Sequence, residues 1–208
     1  MVTSAWRRLK RGRPQVSDKL KELQSKGATK IILDLRDCAG GDVQEAVATA
    51  SLFLDHGLIS YLAGQRYPRQ DLPAHPQGPV SKLPLVVLIN QSTAGPAELV
   101  AASILDNKRG EVVGVRSFGV GVFQKLLPVG DGSALVLSVA KYYAPDGKAI
   151  HDNGVTPSVV QAPNAETANA DEESETEEPE HFGGKDDLQL QKAIEILKQP
   201  PAAAKAAA

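Results

Sequence analysis

Cysteine occurs once in the 208 residues, at Cys38, so no intrachain disulfide braces the chain and its stability must come from a buried apolar core. Histidine is scarce and scattered. His56, His75, His151 and His181 have no metal-ligand spacing, and neither a metal nor another cofactor is expected. No run reaches the ~18 apolar residues that cross a bilayer, so no transmembrane segment is expected. The opening "MVTSAWRRLKRGRPQ" is basic but contains no apolar stretch, which excludes a complete signal peptide within it. A formal net charge of -2 argues against whole-chain nucleic-acid binding. The charge is uneven, with "RRLKRGR" at 7–13 and "ETANADEESETEEPE" at 166–180. Both read as solvated segments, because like charges repel and nothing apolar is there to bury.

Against these absences stands an apolar content of 42%, arranged in short runs. Residues 17–24 predict a helix with Ser17 as its N-cap and Val16, Leu20 and Leu23 on one face. Strands are predicted at 29–35, 58–63, 84–90, 111–115, 122–129 and 133–143, with helices at 43–57, 96–107 and 186–199. The proline-rich stretch 64–82 predicts a surface loop, and Gly130-Asp131-Gly132 a hairpin turn. Strand, helix, strand, loop, strand, helix, strand is an α/β alternation, which implies a mostly parallel sheet flanked by helices. The chain then divides into a basic segment 1–16, a core 17–162, an acidic linker 163–184, a closing helix 185–199 and a tail 200–208.

The stretch 90–124, "NQSTAGPAELVAASILDNKRGEVVGVRSFGVGVFQ", has the layout of a nucleophile turn, helix, strand and glycine-flanked loop. Together with "IILDLRDCAGGDVQEAVATASLFL" before it and "LPVGDGSALVLSVAKYYAPDGKAIHDNGVTPSVV" after it, it resembles the tail-specific, or C-terminal processing, protease family of serine peptidases. The resemblance covers residues 28–161 in order. It implies a Clp protease/crotonase-like fold, cleavage near the C-termini of protein substrates, and an extended polypeptide or protein C-terminus as partner. The family is mostly exported. It usually carries a PDZ-type domain ahead of the core, for which the residues before 28 leave no room.

The chemistry implied is a serine nucleophile, a lysine general base and a supporting glutamine. A serine hydroxyl needs a proton acceptor, and a desolvated neutral lysine can serve. Carried over position by position, the serine falls on Gly95, the lysine on Val120 and the glutamine on Gln124. One oxyanion donor falls on Pro96, which has no N–H, and the other on the pair Gly40 and Gly41. Losing such a nucleophile costs about 10⁶ in kcat, and one oxyanion donor about 10²–10³.

Other residues offer little to replace them. Ser92 and Thr93 precede Gly95 and are candidate displaced nucleophiles, although hydroxyls at such turns ordinarily bond local N–H groups. Lys125 faces opposite to Gln124, and so away from the site, if 122–129 is a strand, and Lys108 suits a helix C-terminus. Cys38 lies before a helix N-terminus, where a thiol pKa can fall, but free cysteine usually packs as a small apolar residue. Asp34 and Arg36 are placed to position the glycine loop through a salt bridge, and Glu98 to stabilise the positive end of its helix. Three readings follow: a peptide-binding or regulatory domain without peptidase activity, an active peptidase with a displaced nucleophile, or a fragment without an independent role.

Overall fold

The run Leu-Val-Val-Leu-Ile at 85–89 is a strand interior to a parallel sheet, the environment in which a chain can be apolar at every position. A computed structural model describes residues 12–75, 81–130, 132–163, 183–184 and 186–199. The first elements in chain order are α1 (Gly12–Ser25), β1 (Ile31–Asp34), α2 (Val43–Ala50), β2 (Leu58–Gly64), β3 (Tyr67–Pro73) and β4 (Leu85–Ile89). They are followed by α3 (Pro96–Asp106), β5 (Glu111–Gly114), β6 (Val122–Pro128), β7 (Ala134–Tyr143), β8 (Val159–Val160) and α4 (Leu188–Lys198).

The parallel sheet runs β1-β4-β5-β8, with Ile31 opposite Leu85 and Val87 opposite Val112. Because side chains alternate along a strand, the two faces divide cleanly. Ile31, Leu33, Leu85, Val87, Ile89 and Val112 join the main core with α2 and α3, whereas Ile32, Val86, Leu88 and Val113 meet Leu190, Ala193 and Leu197 of α4. The expected α/β architecture, a parallel sheet with helices on its faces, is what the chain adopts.

A second sheet, antiparallel and ordered β3-β2-β7-β6, leans over the C-terminal ends of the first. Leu62, Leu72 and Tyr142 point inward from it. On its other face Tyr61 and Tyr143 stack with ring centroids 4.8 Å apart, and the Arg69 guanidinium lies 3.9 Å over Tyr61.

Three expectations need correction. The helix expected to start at Ser17 begins at Gly12, so Ser17 lies in its interior and the 16/17 boundary falls inside α1. Burying Val16 beside Leu20 draws the helix back to this point, and Pro14 is tolerated in the first turn, where N–H groups need no helical partner. The helix expected over 43–57 stops at Ala50, where the Ser51 hydroxyl donates to the Val47 carbonyl and the buried Leu52, Phe53 and Leu54 continue as turns. The loop expected over 64–82 contains β3, antiparallel to β2. Its prolines are compatible with a strand because β3 is a sheet edge, where a missing N–H breaks no ladder. Residues 164–182 of the acidic linker, His181 with them, and the tail 200–208 lie outside the described residues.

Candidate functional site

Neighbouring parallel strands β1 and β4 end side by side, so the loops that follow them are neighbours too. Carboxyl ends of parallel strands are where α/β folds open a crevice. The two loops are tied firmly. Ala94 N donates to the Cys38 carbonyl at 3.0 Å, and the Asn90 side chain bonds Asp37 twice, donating from Nδ2 to Asp37 Oδ1 at 2.8 Å and accepting at Oδ1 from the Asp37 backbone N at 3.1 Å. That pairing holds Asp37 at a φ of 53°, unusual for a residue with a side chain. Thr93 is fully buried; its hydroxyl donates to the Leu35 carbonyl at 2.9 Å and accepts from Asn90 N at 3.0 Å. It joins the two strand ends and does not line the cavity between the sheets.

At Gly95 the chain turns into α3 with φ 61° and ψ -124°. This conformation strains any residue bearing a Cβ, although a Cβ built there meets no atom within 4 Å. One turn on, the fully buried Glu98 carboxylate accepts four hydrogen bonds. Oε2 takes Gly95 N at 2.9 Å and Val120 N at 2.8 Å, while Oε1 takes Gly119 N at 2.7 Å and the Ser117 hydroxyl at 2.5 Å. Phe118 N adds a bond to the Thr93 carbonyl at 3.0 Å. A single side chain thus clamps the 117–120 loop onto the start of α3 and sets Gly95 beside Val120. The sequence predicts for Glu98 only a role at the helix end. Its larger role spans more than twenty residues, and no local spacing signals it.

Gly95 and Val120 both line a cavity of about 970 Å³ between the two sheets. Leu62, Leu72, Leu99, Val122, Phe123 and Tyr142 form its apolar walls, and Gly41, Pro96, Asp42, Gln44, Glu45, Tyr67 and Gln70 also contribute. Among the described residues that line it there is no serine, threonine, cysteine, histidine or lysine. Ser92 is exposed and outside the lining, and its backbone N donates to Asn90 Oδ1. Gly41 faces the cavity, whereas Gly40 does not line it.

Gln124 is exposed and also outside the lining. A register shift at Phe123/Gln124 leaves Val122 and Phe123 on the cavity side. Lys125 does face opposite to Gln124, but this is the side towards the cavity: its Nζ lies 5.1 Å from the ring of Tyr67, which also packs on Phe123. Lys108 sits beyond the far end of α3. Cys38 is completely buried, and burial pushes its thiol pKa up to about 11, the reverse of activation.

The expected Asp34–Arg36 salt bridge exists and reaches further than its neighbours in sequence. Arg36 is buried and bonds Asp34 through Nε at 2.9 Å and Nη2 at 2.6 Å, then Asp187 through both Nη atoms at 2.9 Å each, with Nη1 3.2 Å from Gln189 Oε1. Burial opposes the guanidinium charge, but the two carboxylates outweigh it and hold the Arg36 pKa above its ordinary value. Asp187 also caps α4 by accepting from Leu190 N, so one ion cluster fixes both the end of β1 and the start of α4. Among the described residues no cluster of histidine, cysteine or carboxylates has metal-site form, and no helix is long and apolar enough to cross a membrane.

The model of peptidase family S41 matches residues 4–161. The chain is 37% identical over 139 residues to carboxyl-terminal-processing peptidase 1, chloroplastic, of Arabidopsis thaliana, covering 66% of this chain and 28% of that protein. It is 35% identical over 193 residues to the carboxyl-terminal-processing protease of Picosynechococcus sp., covering 91% of this chain and 43% of that protein. It thus spans less than half the length of either relative. Among solved structures, a photosystem II D1 C-terminal processing protease superposes with a TM-score of 0.67 at 33% identity, over 71% of this chain and 38% of that one. The tricorn protease shares the fold at a TM-score of 0.52 and 18% identity, over 82% of this chain and 15% of that one. The chain belongs to peptidase family S41.

Proposed function

We propose that this domain binds an extended polypeptide in the cleft between its sheets and does not cleave it. One observation carries the reading. Glu98 holds together Gly95 and Val120, the positions onto which the sequence resemblance carries the family's serine and lysine, in the lining of a cavity whose described residues offer neither an oxygen or sulfur nucleophile of the usual kinds nor an amine or imidazole base. The backbone of Pro96 in the same lining supplies no N–H for an oxyanion. The Thr93 hydroxyl is spent on the Leu35 carbonyl, and Ser92 lies outside the cavity, so neither replaces the missing nucleophile. Walls of leucine, valine and aromatic side chains suit apolar side chains of a bound chain.

Incubation with an internally quenched extended peptide tests this directly. The wild-type protein is expected to give no turnover above buffer, and the same result is expected for Ser92→Ala and Thr93→Ala. Wild-type turnover abolished by Ser92→Ala would establish a displaced nucleophile and sink the proposal. The double change Gly95→Ser with Val120→Lys is expected to leave activity about 10²–10³ below an intact family site, because Pro96 still removes a donor.

A further inference from the structure

We infer that α4 is a latch on the cleft: its first turn ties together the carboxyl ends of the sheet's two edge strands, and the turn at 36–39 that leads to Gly41 holds its shape only while α4 is docked. The parallel sheet ends on one side in β1 and on the other in β8. Arg36, just past β1, donates to Asp187 through both Nη atoms and to Gln189 Oε1 through Nη1. Gln189 in turn donates from Nε2 to the carbonyl of Gln161, just past β8, at 2.9 Å. Gln161 N closes the circuit on the carbonyl of Gly114 at the end of β5. One helical turn therefore spans the sheet at the end where the cleft opens.

Undocking α4 removes the support of that turn. Arg36 is 2% exposed, and a buried guanidinium stripped of its bonds to Asp187 and Gln189 is drawn back towards water. The backbone beside it is tightly engaged. Asp37 sits at a φ of 53° bonded to Asn90, Cys38 N donates to the Leu35 carbonyl, and the Cys38 carbonyl receives Ala94 N. Gly41, three residues past Cys38, and Gly95, next to Ala94, both line the cavity. A strained residue relaxes when its surroundings stop over-determining it, so both positions lie within reach of the same release. The element that opens first is α4. It packs through Leu190, Ala193 and Leu197 on the smaller of the two apolar clusters, and Lys30 bonds the Leu197 carbonyl at its far end. Elements with few buried apolar contacts open below the global unfolding free energy. By reciprocity, any occupant that orders the cleft strengthens the docking of α4.

Hydrogen exchange on the full chain at neutral pH tests the latch and needs no peptide, so its failure leaves the peptide-binding reading standing. In the wild type, the amides of Asp37, Cys38 and Ala94 are expected to share the protection factor of the α4 amides 191–198, below that of Val87 and Leu88 in β4. Leu197→Ala lies about 15 Å along the helix from Asp187 and weakens docking without touching the ion cluster. It is expected to speed exchange by one common factor, at least about tenfold, in α4 and at Asp37, Cys38 and Ala94. Lys30→Met removes only the bond at the far end of α4. It is expected to give the same joint change, about two- to tenfold, whether or not Leu197→Ala folds. Acceleration of α4 that leaves the three loop amides unchanged in either variant would overturn the inference. So would wild-type loop amides as well protected as those of Val87 and Leu88, since the loop would then open only with the whole molecule.

Discussion

Gly95 is the residue where space and backbone disagree. Nothing stands within 4 Å of a Cβ built there, yet φ 61° with ψ -124° is a conformation in which a side chain is costly. Strain should dominate, because the surroundings neither clash with a small side chain nor hold it. Gly95→Ser and Gly95→Ala are therefore each expected to lower stability by about 1–3 kcal/mol, and by similar amounts, in urea unfolding. A stabilised Gly95→Ser would mean that the hydroxyl finds a partner outweighing the strain. Cys38 is legible at the same scale. With its thiol buried and its pKa near 11, labelling by iodoacetamide at neutral pH should proceed only as fast as the protein opens, and should accelerate in step with unfolding as urea is added. Fast labelling of the folded protein would contradict the burial.

At the scale of elements, α4 depends on one ion cluster. Burial penalises the charge of Asp187, but Arg36, with Gly183 N and Leu190 N, outweighs this and holds its pKa below the usual carboxylate range. A carboxyl whose pKa is depressed on folding adds stability that is complete above its unfolded pKa of about 3.9. That contribution is lost as pH falls through the lower folded value. Protection factors of the amides in 188–198, taken against the intrinsic exchange rate at each pH, should consequently be high at neutral pH and fall as acidification passes below about pH 4. In Asp187→Ala that dependence should vanish and stability should fall by about 3–5 kcal/mol at neutral pH, since Arg36 loses a buried carboxylate that it bonds through both Nη atoms. Protection of α4 that does not change with pH would refute the assignment.

The elements also mark how far local pattern carried. Short continuous apolar runs located β1, β4 and β5, and the turn with Pro96 located the start of α3, each within a residue or two, because strands buried on both faces are apolar throughout and proline suits a first helical turn. They missed the start of α1 and the existence of β3. In both cases the deciding contact is distant: the core that receives Val16, and β2, whose edge pairs with a proline-bearing strand.

For the whole molecule, the hairpin of β6 and β7 is the region least supported by the core. Leu126 is 67% exposed and its cross-strand partner Val136 is 58% exposed. Leu126→Ser is expected to change stability by less than about 0.5 kcal/mol, whereas Leu88→Ala, between β4 and α4, should cost about 2–5 kcal/mol. Comparable losses from the two variants in chemical denaturation would show that the hairpin packs against something in solution. Two separate sheets are also a whole-molecule fact. A sequence alternating strand and helix announces a parallel sheet, but it does not say that β2, lying in the middle of that alternation, leaves it to pair antiparallel with β3 and β7.

Residue order alone determined the family resemblance, the apolar strands and the two unusual occupants at 95 and 120, since these are written in residue types and spacings. Only the tertiary structure decided that Gly95 and Val120 meet over Glu98, that Thr93 is locked inward, that Gln124 turns outward, and that Arg36 reaches Asp187. Each depends on which strand ends become neighbours and on a register shift. Those are properties of contacts far apart in the chain, where local periodicity carries no information.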